Sequence, residues 1–267
     1  MTDVSATDPP THAGAFAAAR SLWSDLAAHW RRPRAPGAPL WPLWLALAVL
    51  GFAMLDDVSL AFDAEEAHSA ARLDSGIVDV FQIVTRAGQS DWLFACSILT
   101  LIYALYRRDA AASRLARARY GVLASRAFYF ISVQAFSGLL SQVIKHLVGR
   151  ARPRLIDELG PWHFDLFSLK AVLASFPSGH TISVFAAAAS LSFFVPPKWS
   201  AAVFFALALP VAASRLIIGA HYPSDVLAGV FIGLGSALAV ARVFARRKIA
   251  FTLEGDAVLP EPRGNVL

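Results

Sequence analysis

The chain has 267 residues, of which 57% are hydrophobic and only 16% charged, with a mean hydropathy of +0.53. A soluble domain carries about 25% charged residues, so the composition excludes an ordinary water-soluble globule and indicates a membrane protein. The net charge of +5 is carried by Arg and Lys that flank the apolar runs, as the positive-inside rule expects, so nucleic acid is not the expected partner.

Residues 1–38 are rich in Ala, Arg and Pro and lack an apolar core followed by a small-residue cleavage site, so no secretory signal is expected. Within them Phe16, Ala19, Trp23, Leu26, Ala27 and Trp30 recur at helical spacing, with Arg20, Arg31, Arg32 and Arg34 nearby. This predicts an amphipathic helix lying on an anionic membrane surface; a leader without a role is the plainer alternative. Six apolar runs follow, from about Leu40 to Leu55, Trp92 to Tyr106, Tyr120 to Val148, Pro177 to Val195, Trp199 to Ile218 and Ser224 to Phe244. A spanning helix needs roughly 20 residues, so the first two are expected to extend into their flanks. The single cysteine, Cys96, lies in the second run; it can form no intramolecular disulfide and fits no metal spacing.

Between the first two runs, Gly76 to Asp91 carries Asp79, Gln82, Arg86 and Gln89 among apolar residues. It predicts a partly buried interfacial helix and not a seventh span, because too many polar groups would enter hydrocarbon. The tail from about Thr252, with Pro260 and Pro262, is expected to be disordered. The expected organisation is a cytoplasmic segment over 1–38, an all-α six-transmembrane-helix bundle over 39–248, and a cytoplasmic tail over 249–267.

Arg31, Arg32 and Arg34 precede the first run, Arg107, Arg108, Arg114, Arg117 and Arg119 follow the second, Lys198 lies between the fourth and fifth, and Arg242, Arg246, Arg247 and Lys248 follow the sixth. With six spans these fall on one side, which the positive-inside rule makes cytoplasmic, together with both termini. The loop from Gly149 to Phe176 then lies outside, yet it holds Arg150, Arg152, Arg154 and Lys170. Basic residues on that side need another reason to be there, and phosphate binding supplies one.

Three clusters suit that chemistry. The first is Lys145, six residues, then Arg152-Pro153. A lysine in an apolar helix is costly unless it is paired, wet or snorkelling to the interface. A guanidinium binds phosphate oxygens bidentately, whereas lysine acts as a point charge. If the chain becomes extended after Gly149, then Arg150, Arg152 and Arg154 point the same way. The second cluster is Pro177-Ser178-Gly179-His180, at the predicted start of a helix. The free N–H groups of a first turn attract an anion, Gly179 allows close approach, Ser178 adds a hydroxyl and His180 faces the same anion. The third is Ser214-Arg215, five residues, His221, three residues, Asp225. Asp225 can fix the His221 tautomer and leave the other ring nitrogen free to attack; helix capping is its plainer reading.

In this order, between long apolar runs, the clusters resemble the three signature motifs of the type 2 phosphatidic acid phosphatase (PAP2) superfamily, and no motif position departs from the pattern. The resemblance covers roughly residues 92 to 245. It implies that His221 is a nucleophile forming a phosphohistidine, that Asp225 orients it, and that His180 protonates the leaving oxygen and then helps activate water. It further implies that Lys145, Arg152, Ser178, Gly179 and Arg215 hold the phosphoryl oxygens. Arg150 and Arg154 match no motif position and are expected at the mouth of the site or in ordinary headgroup contact.

No metal and no cofactor are expected. The implied substrate is a membrane lipid phosphate or pyrophosphate of the phosphatidic acid, phosphatidylglycerol phosphate, polyprenyl pyrophosphate or lipid A class, met at the outer face of a bacterial inner membrane. A lipid phosphotransferase with the same intermediate and a non-enzymatic anion-binding or transport protein are the alternatives, while the multispanning chain argues against a haloperoxidase. Trp162, His163, Phe164 and Phe167 are expected to form either an entrance to the site or an interfacial aromatic belt.

Overall fold

The computed structural model describes residues 41–253 and 257–264, with the isolated residues 20, 24, 27, 28 and 30. Most of the expected amphipathic helix, and most of the 1–38 segment, lie outside the described residues.

The described chain is mostly helical. Helix α1 (Trp41–Val58) continues through a π-helical turn, Ser59–Asp63, into α2 (Ala64–Ala70). Helix α3 (Ser75–Arg86) is capped by Asp74, whose carboxylate accepts the Gly76 N–H at 2.8 Å. Helix α4 (Ser90–Asp109) leads to α5 (Arg114–Val148), where the Ser113 hydroxyl accepts the Ala116 N–H at 3.1 Å. Then come α6 (Gly179–Phe194), α7 (Ser200–Ile217) and α8 (Pro223–Arg246). Each of the six apolar runs therefore falls on one helix, and the 76–91 segment forms the separate α3. By length and composition, α5, α7 and α8 are long and apolar enough to cross a membrane, while α6 is apolar but has 16 residues.

The loop between α5 and α6 is set by Gly149. It ends α5 with φ +62°, and a Cβ there would lie 1.7 Å from the Asp165 carbonyl oxygen, so no other residue fits. After it, Ala151 N–H donates to the His163 carbonyl at 3.0 Å and Arg152 N–H to the Val172 carbonyl at 3.1 Å. The extended stretch stops at Arg152, because Pro153–Leu155 forms a 3₁₀ turn. The three arginines consequently do not share one direction, as an uninterrupted strand would have made them.

Helix α6 is the centre of the bundle and packs on α5, α7 and α8. Its residues from Thr181 to Ala188 are all buried, which suits a helix apolar on every side. The α6–α8 approach depends on small residues: a Cβ on Gly229 would lie 2.8 Å from Thr181 Cβ, and one on Gly233 2.8 Å from the Ile182 carbonyl oxygen. On one side of α6, Val184, Phe185 and Ala188 pack with Ala208, Val211 and Ala212 of α7. On the other, Tyr129 and Val133 of α5 pack with Ala237, Ala241 and Phe244 of α8, and the Tyr129 hydroxyl donates to the Ala237 carbonyl at 3.0 Å. The outer faces of α1, α4 and α5 expose Phe52, Leu99, Ile102 and Leu139, a surface suited to lipid.

The tail departs from the expected disorder. Strand β1 (Phe251–Thr252) pairs antiparallel with β2 (Glu261–Pro262). Phe251 is fully buried, with its ring 4.8 Å from that of Tyr129 and 5.0 Å from that of Phe194. Arg242 donates to the Ala257 carbonyl at 3.0 Å. Among the described residues of the tail, one aromatic anchor and one backbone clamp give 251–253 and 257–264 defined contacts.

Candidate active site

The three clusters meet at one end of the bundle, where α5 and α7 finish and α6 and α8 begin. Asp225 lies in the first turn of α8 and is fully buried. Its Oδ1 accepts Arg150 Nη1 at 2.7 Å, and its Oδ2 accepts Ser175 Oγ at 2.5 Å and the Tyr222 N–H at 3.0 Å. The last of these is a capping bond, so Asp225 caps its helix as well as facing His221. His221 Nδ1 lies 3.6 Å from Asp225 Oδ2, in ion-pair range but longer than a formed hydrogen bond. The His221 backbone N–H donates to the Arg215 carbonyl at 3.2 Å, which fixes the loop between α7 and α8.

His221 is buried, and burial is the largest influence on its ring. It pushes the imidazole down to about 3, with Lys145 and Arg215 acting in the same direction and Asp225 opposing them. The ring is therefore neutral at physiological pH, the state in which a ring nitrogen can attack.

The cations beside it face carbonyls and a hydroxyl. Lys145 Nζ donates to the Ala174 carbonyl at 2.8 Å. Arg152 donates from Nε to the Ala171 carbonyl at 3.0 Å and from Nη1 to the Ala220 carbonyl at 3.3 Å. Arg215 Nη1 donates to Thr85 Oγ1 at 2.6 Å, and its buried Nε has no hydrogen-bond partner among the described residues. Among the described residues none of the three pairs with a carboxylate. Lys145 Nζ and Arg152 Nη2 meet at the same Ala174 carbonyl, at 2.8 and 3.4 Å, and all three cations are close enough to His180 to disfavour its charge. Burial, followed by repulsion from Arg154, lowers the Arg152 guanidinium from its usual range. Three cations without acidic partners form a place for an anion.

The start of α6 completes that place. The Ser178 N–H donates to the Asp225 carbonyl at 3.0 Å and ties α6 to α8. The first intrahelical bond runs from Ile182 N–H to the Ser178 carbonyl at 3.0 Å, so the N–H groups of Gly179, His180 and Thr181 lie ahead of the helical ladder. A Cβ on Gly179 would lie 3.9 Å from Lys145 Cε, which places that backbone against the lysine. Ser178 is fully buried; its hydroxyl accepts from Thr181 Oγ1 at 3.0 Å and keeps its own proton to donate. Lys145, Arg152, Ser178, Gly179, His180, Arg215, His221 and Asp225 are thus brought together.

Arg150 differs from its expectation. It is neither at a mouth nor in headgroup contact but 3% exposed, donating to Asp225 and, from Nη2, to Asp63 Oδ2 at 2.7 Å. Burial opposes its charge, yet Asp225 and Asp63 together raise the guanidinium above its usual value. Arg154 is exposed. Trp162, Phe164 and Phe167 are exposed too; Trp162 Nε1 donates to Ser59 Oγ at 3.0 Å, and Phe164 bridges to Arg150 through its backbone. Asp63, Thr85, Ser175 and Ser224 join the site without a motif. In sequence Asp63 is one of several acids, with Asp56, Asp57, Glu65 and Glu66, and nothing local singles it out.

Residues 126–249 match the PAP2 superfamily. The chain is 36% identical over 241 residues to the lipid A 1-phosphatase of Rhizobium johnstonii, covering 89% of this chain and 95% of that one. It is 38% identical over 201 residues to the lipid A 1-phosphatase of Rhizobium etli, covering 74% and 83%. It is 32% identical over 99 residues to the undecaprenyl-diphosphatase of Sulfolobus acidocaldarius, covering 36% and 48%. The crystal structure of a transmembrane PAP2-type phosphatidylglycerolphosphate phosphatase from Bacillus subtilis is similar at 21% identity, with 72% of this chain and 92% of that chain covered and a TM-score of 0.48. On its sequence relationships and its converged motifs, the chain belongs to the PAP2 superfamily and stands among its membrane lipid phosphatases.

Proposed function

We propose that this chain removes a phosphate from a lipid phosphate monoester or pyrophosphate by way of a phosphohistidine, with lipid A carrying a 1-phosphate as the leading substrate. The observation that carries the reading is a buried His221 beside Asp225, next to His180 and three cations that have no acidic partner among the described residues. The substrate choice is supported by the two lipid A 1-phosphatases, which match along most of their own length.

The phosphoryl group sits among Lys145, Arg152, Arg215 and the first-turn N–H groups of α6. Lys145, Arg152 and Arg215 exchange their present carbonyl and hydroxyl partners for phosphoryl oxygens, while the first-turn N–H groups are held by the helix, and together they stabilise the charge that develops. His221 Nε2 attacks phosphorus, the bond to the leaving oxygen breaks, and His180 gives that oxygen a proton. Asp225 faces the Nδ1 edge and offsets the positive charge the ring acquires. In the second half, His180 takes a proton from water as the water attacks phosphorus, the P–N bond breaks, and His221 returns neutral. The six apolar helices α1 and α4–α8 cross the membrane, with both termini cytoplasmic and the site at the outer face of a bacterial inner membrane.

The test is phosphate release by the purified protein in detergent. A panel of lipid A, phosphatidic acid, phosphatidylglycerol phosphate and undecaprenyl diphosphate is followed by mass spectrometry. Loss of one phosphate from the 1 position of lipid A, faster than from the other lipids, is the expected result. Release from another lipid alone would move the substrate, and release from none would remove the reading. Activity should also survive EDTA and be blocked by vanadate, whose five-coordinate form imitates phosphorus in transit.

A further inference from the structure

Among the described residues, Asp63 is a buried acid that no motif accounts for. Asp63 ends the π-helical turn after α1 and is fully buried. A buried carboxylate is costly unless it is paired and hydrogen-bonded. Its Oδ2 accepts Arg150 Nη2 at 2.7 Å and Ser224 Oγ at 2.6 Å, and its Oδ1 accepts the Ser224 N–H at 3.0 Å. The same guanidinium donates from Nη1 to Ser224 Oγ and to Asp225 Oδ1, both at 2.7 Å. Its face lies 4.3 Å from the centre of the Tyr222 ring, and the Pro161 carbonyl accepts from its Nε at 3.1 Å. Two carboxylates share one arginine, so Asp63, Arg150 and Asp225 together carry one net negative charge.

That count bears on His221. When Nε2 bonds to phosphorus while Nδ1 keeps its proton, the ring becomes cationic. Asp225 is the carboxylate facing Nδ1, but paired with Arg150 alone it would be half of a neutral couple. Its field at the ring would be largely cancelled in this dry setting, where charges act strongly. A second carboxylate on the far side of Arg150 restores the negative balance. Glu66, one turn further on, is pushed up to about 7 by burial and then by Asp63, so at pH 6 it is mostly neutral.

We propose that Asp63 is a positioning residue for the reaction, holding the Asp63–Arg150–Asp225 network at net −1 so that Asp225 can stabilise the cationic ring of phosphorylated His221. This rests on His221 being the nucleophile.

The experiment counts charge. Wild type, Asp63→Asn and the double variant Asp63→Asn/Arg150→Gln are purified in detergent and checked for folding by thermal unfolding. Phosphoenzyme formation from radioactive nitrophenyl phosphate is then timed by rapid quench at pH 6. Asp63→Asn makes the network neutral and should slow phosphorylation on the order of ten- to a hundredfold, with little change in the concentration dependence. The double variant returns the network to net −1 through Asp225 alone and should recover most of that loss, although it has lost more hydrogen bonds. A purely structural role predicts the opposite order, with the double variant slowest. Wild-type speed in Asp63→Asn, or a double variant no faster than it, overturns the proposal. If Asp63→Asn does not fold, the double variant decides alone: a rate within about tenfold of wild type supports the proposal, and a slower one overturns it. If the wild type itself forms no phosphohistidine, the nucleophile assignment fails first and takes the proposal with it.

Discussion

His221 and His180 look alike in sequence, but their surroundings make them unequal. His221 is 2% exposed beside Asp225, whereas His180 is half-buried among the cations. His221→Ala should form no phosphoenzyme with any substrate, because the attacking nitrogen is gone. His180→Ala should keep the nucleophile and lose the proton donor, a loss typically worth about 10²–10⁴-fold when the leaving group is a lipid alkoxide. An aryl phosphate needs that proton less, so acid-labile phosphohistidine should accumulate in His180→Ala and be absent in His221→Ala. Label in the reverse pattern would exchange the roles. A second residue-scale effect concerns pH. Glu66 sits near 7 in the folded chain against 4.5 unfolded, raised first by burial and then by Asp63. Between those values the folded state holds more protons, so the contribution is complete below about pH 4.5 and is lost as pH rises through 7. His221 works in the opposite sense, favouring the fold as pH rises from about 3 to 6.5. Glu66→Gln isolates the first effect: relative to this variant, the wild-type thermal midpoint should fall between pH 6 and 8. A constant difference across that range would mean that Glu66 is already ionised in the folded chain.

At the scale of elements, the site is a meeting of helix ends, and the α6–α8 contact sets it. Gly229 admits Thr181 and the Ser178 carbonyl to a distance that a Cβ would close to 2.8 and 2.9 Å. Gly229→Ala should push the start of α6 away from α8 and strain the bond from Ser178 N–H to the Asp225 carbonyl. Overpacking of this kind costs typically 1–3 kcal/mol, and a larger fraction of activity than of folded protein should be lost. Gly121→Ala is the control, since nothing lies within 4 Å of a Cβ there. Equal activity and thermal midpoint in the two variants would remove the close contact as a determinant. The motif residues were legible in sequence because each needs a fixed residue type at a fixed local spacing, close to an element boundary. Asp63 and Thr85 were not. They stand 87 and 130 positions from Arg150 and Arg215, and only tertiary packing makes them neighbours. Arg150 was misplaced for a related reason: its charge is used inward, against two buried acids, and no local pattern announces a buried ion pair.

At the scale of the whole molecule, the distribution of basic residues is what supports the proposed orientation. Arg107, Arg108, Arg114, Arg117 and Arg119 cluster where α4 turns into α5. At the opposite end, Arg150 and Arg152 break the positive-inside pattern, and the structure supplies the reason. One is locked between Asp63 and Asp225, and the other is turned onto carbonyls beside Lys145 and Arg215, so neither is a free headgroup anchor. With those two accounted for by the site, the exposed Arg154 and Lys170 remain against the five arginines of the α4–α5 turn, and the bias favours the proposed orientation with that turn inside and the site outside. Cysteine labelling tests this directly. Cys96, the single native cysteine, is replaced by serine, and one new cysteine is placed at Ala112 or at Leu169, both exposed. In intact cells an impermeant thiol reagent should label Leu169→Cys and spare Ala112→Cys until the membrane is opened. The reverse pattern would put the site in the cytoplasm and give it lipids of the inner leaflet. It would also leave Arg107 to Arg119 outside with no phosphate chemistry to account for them, so the charge argument and the assigned orientation would fall together.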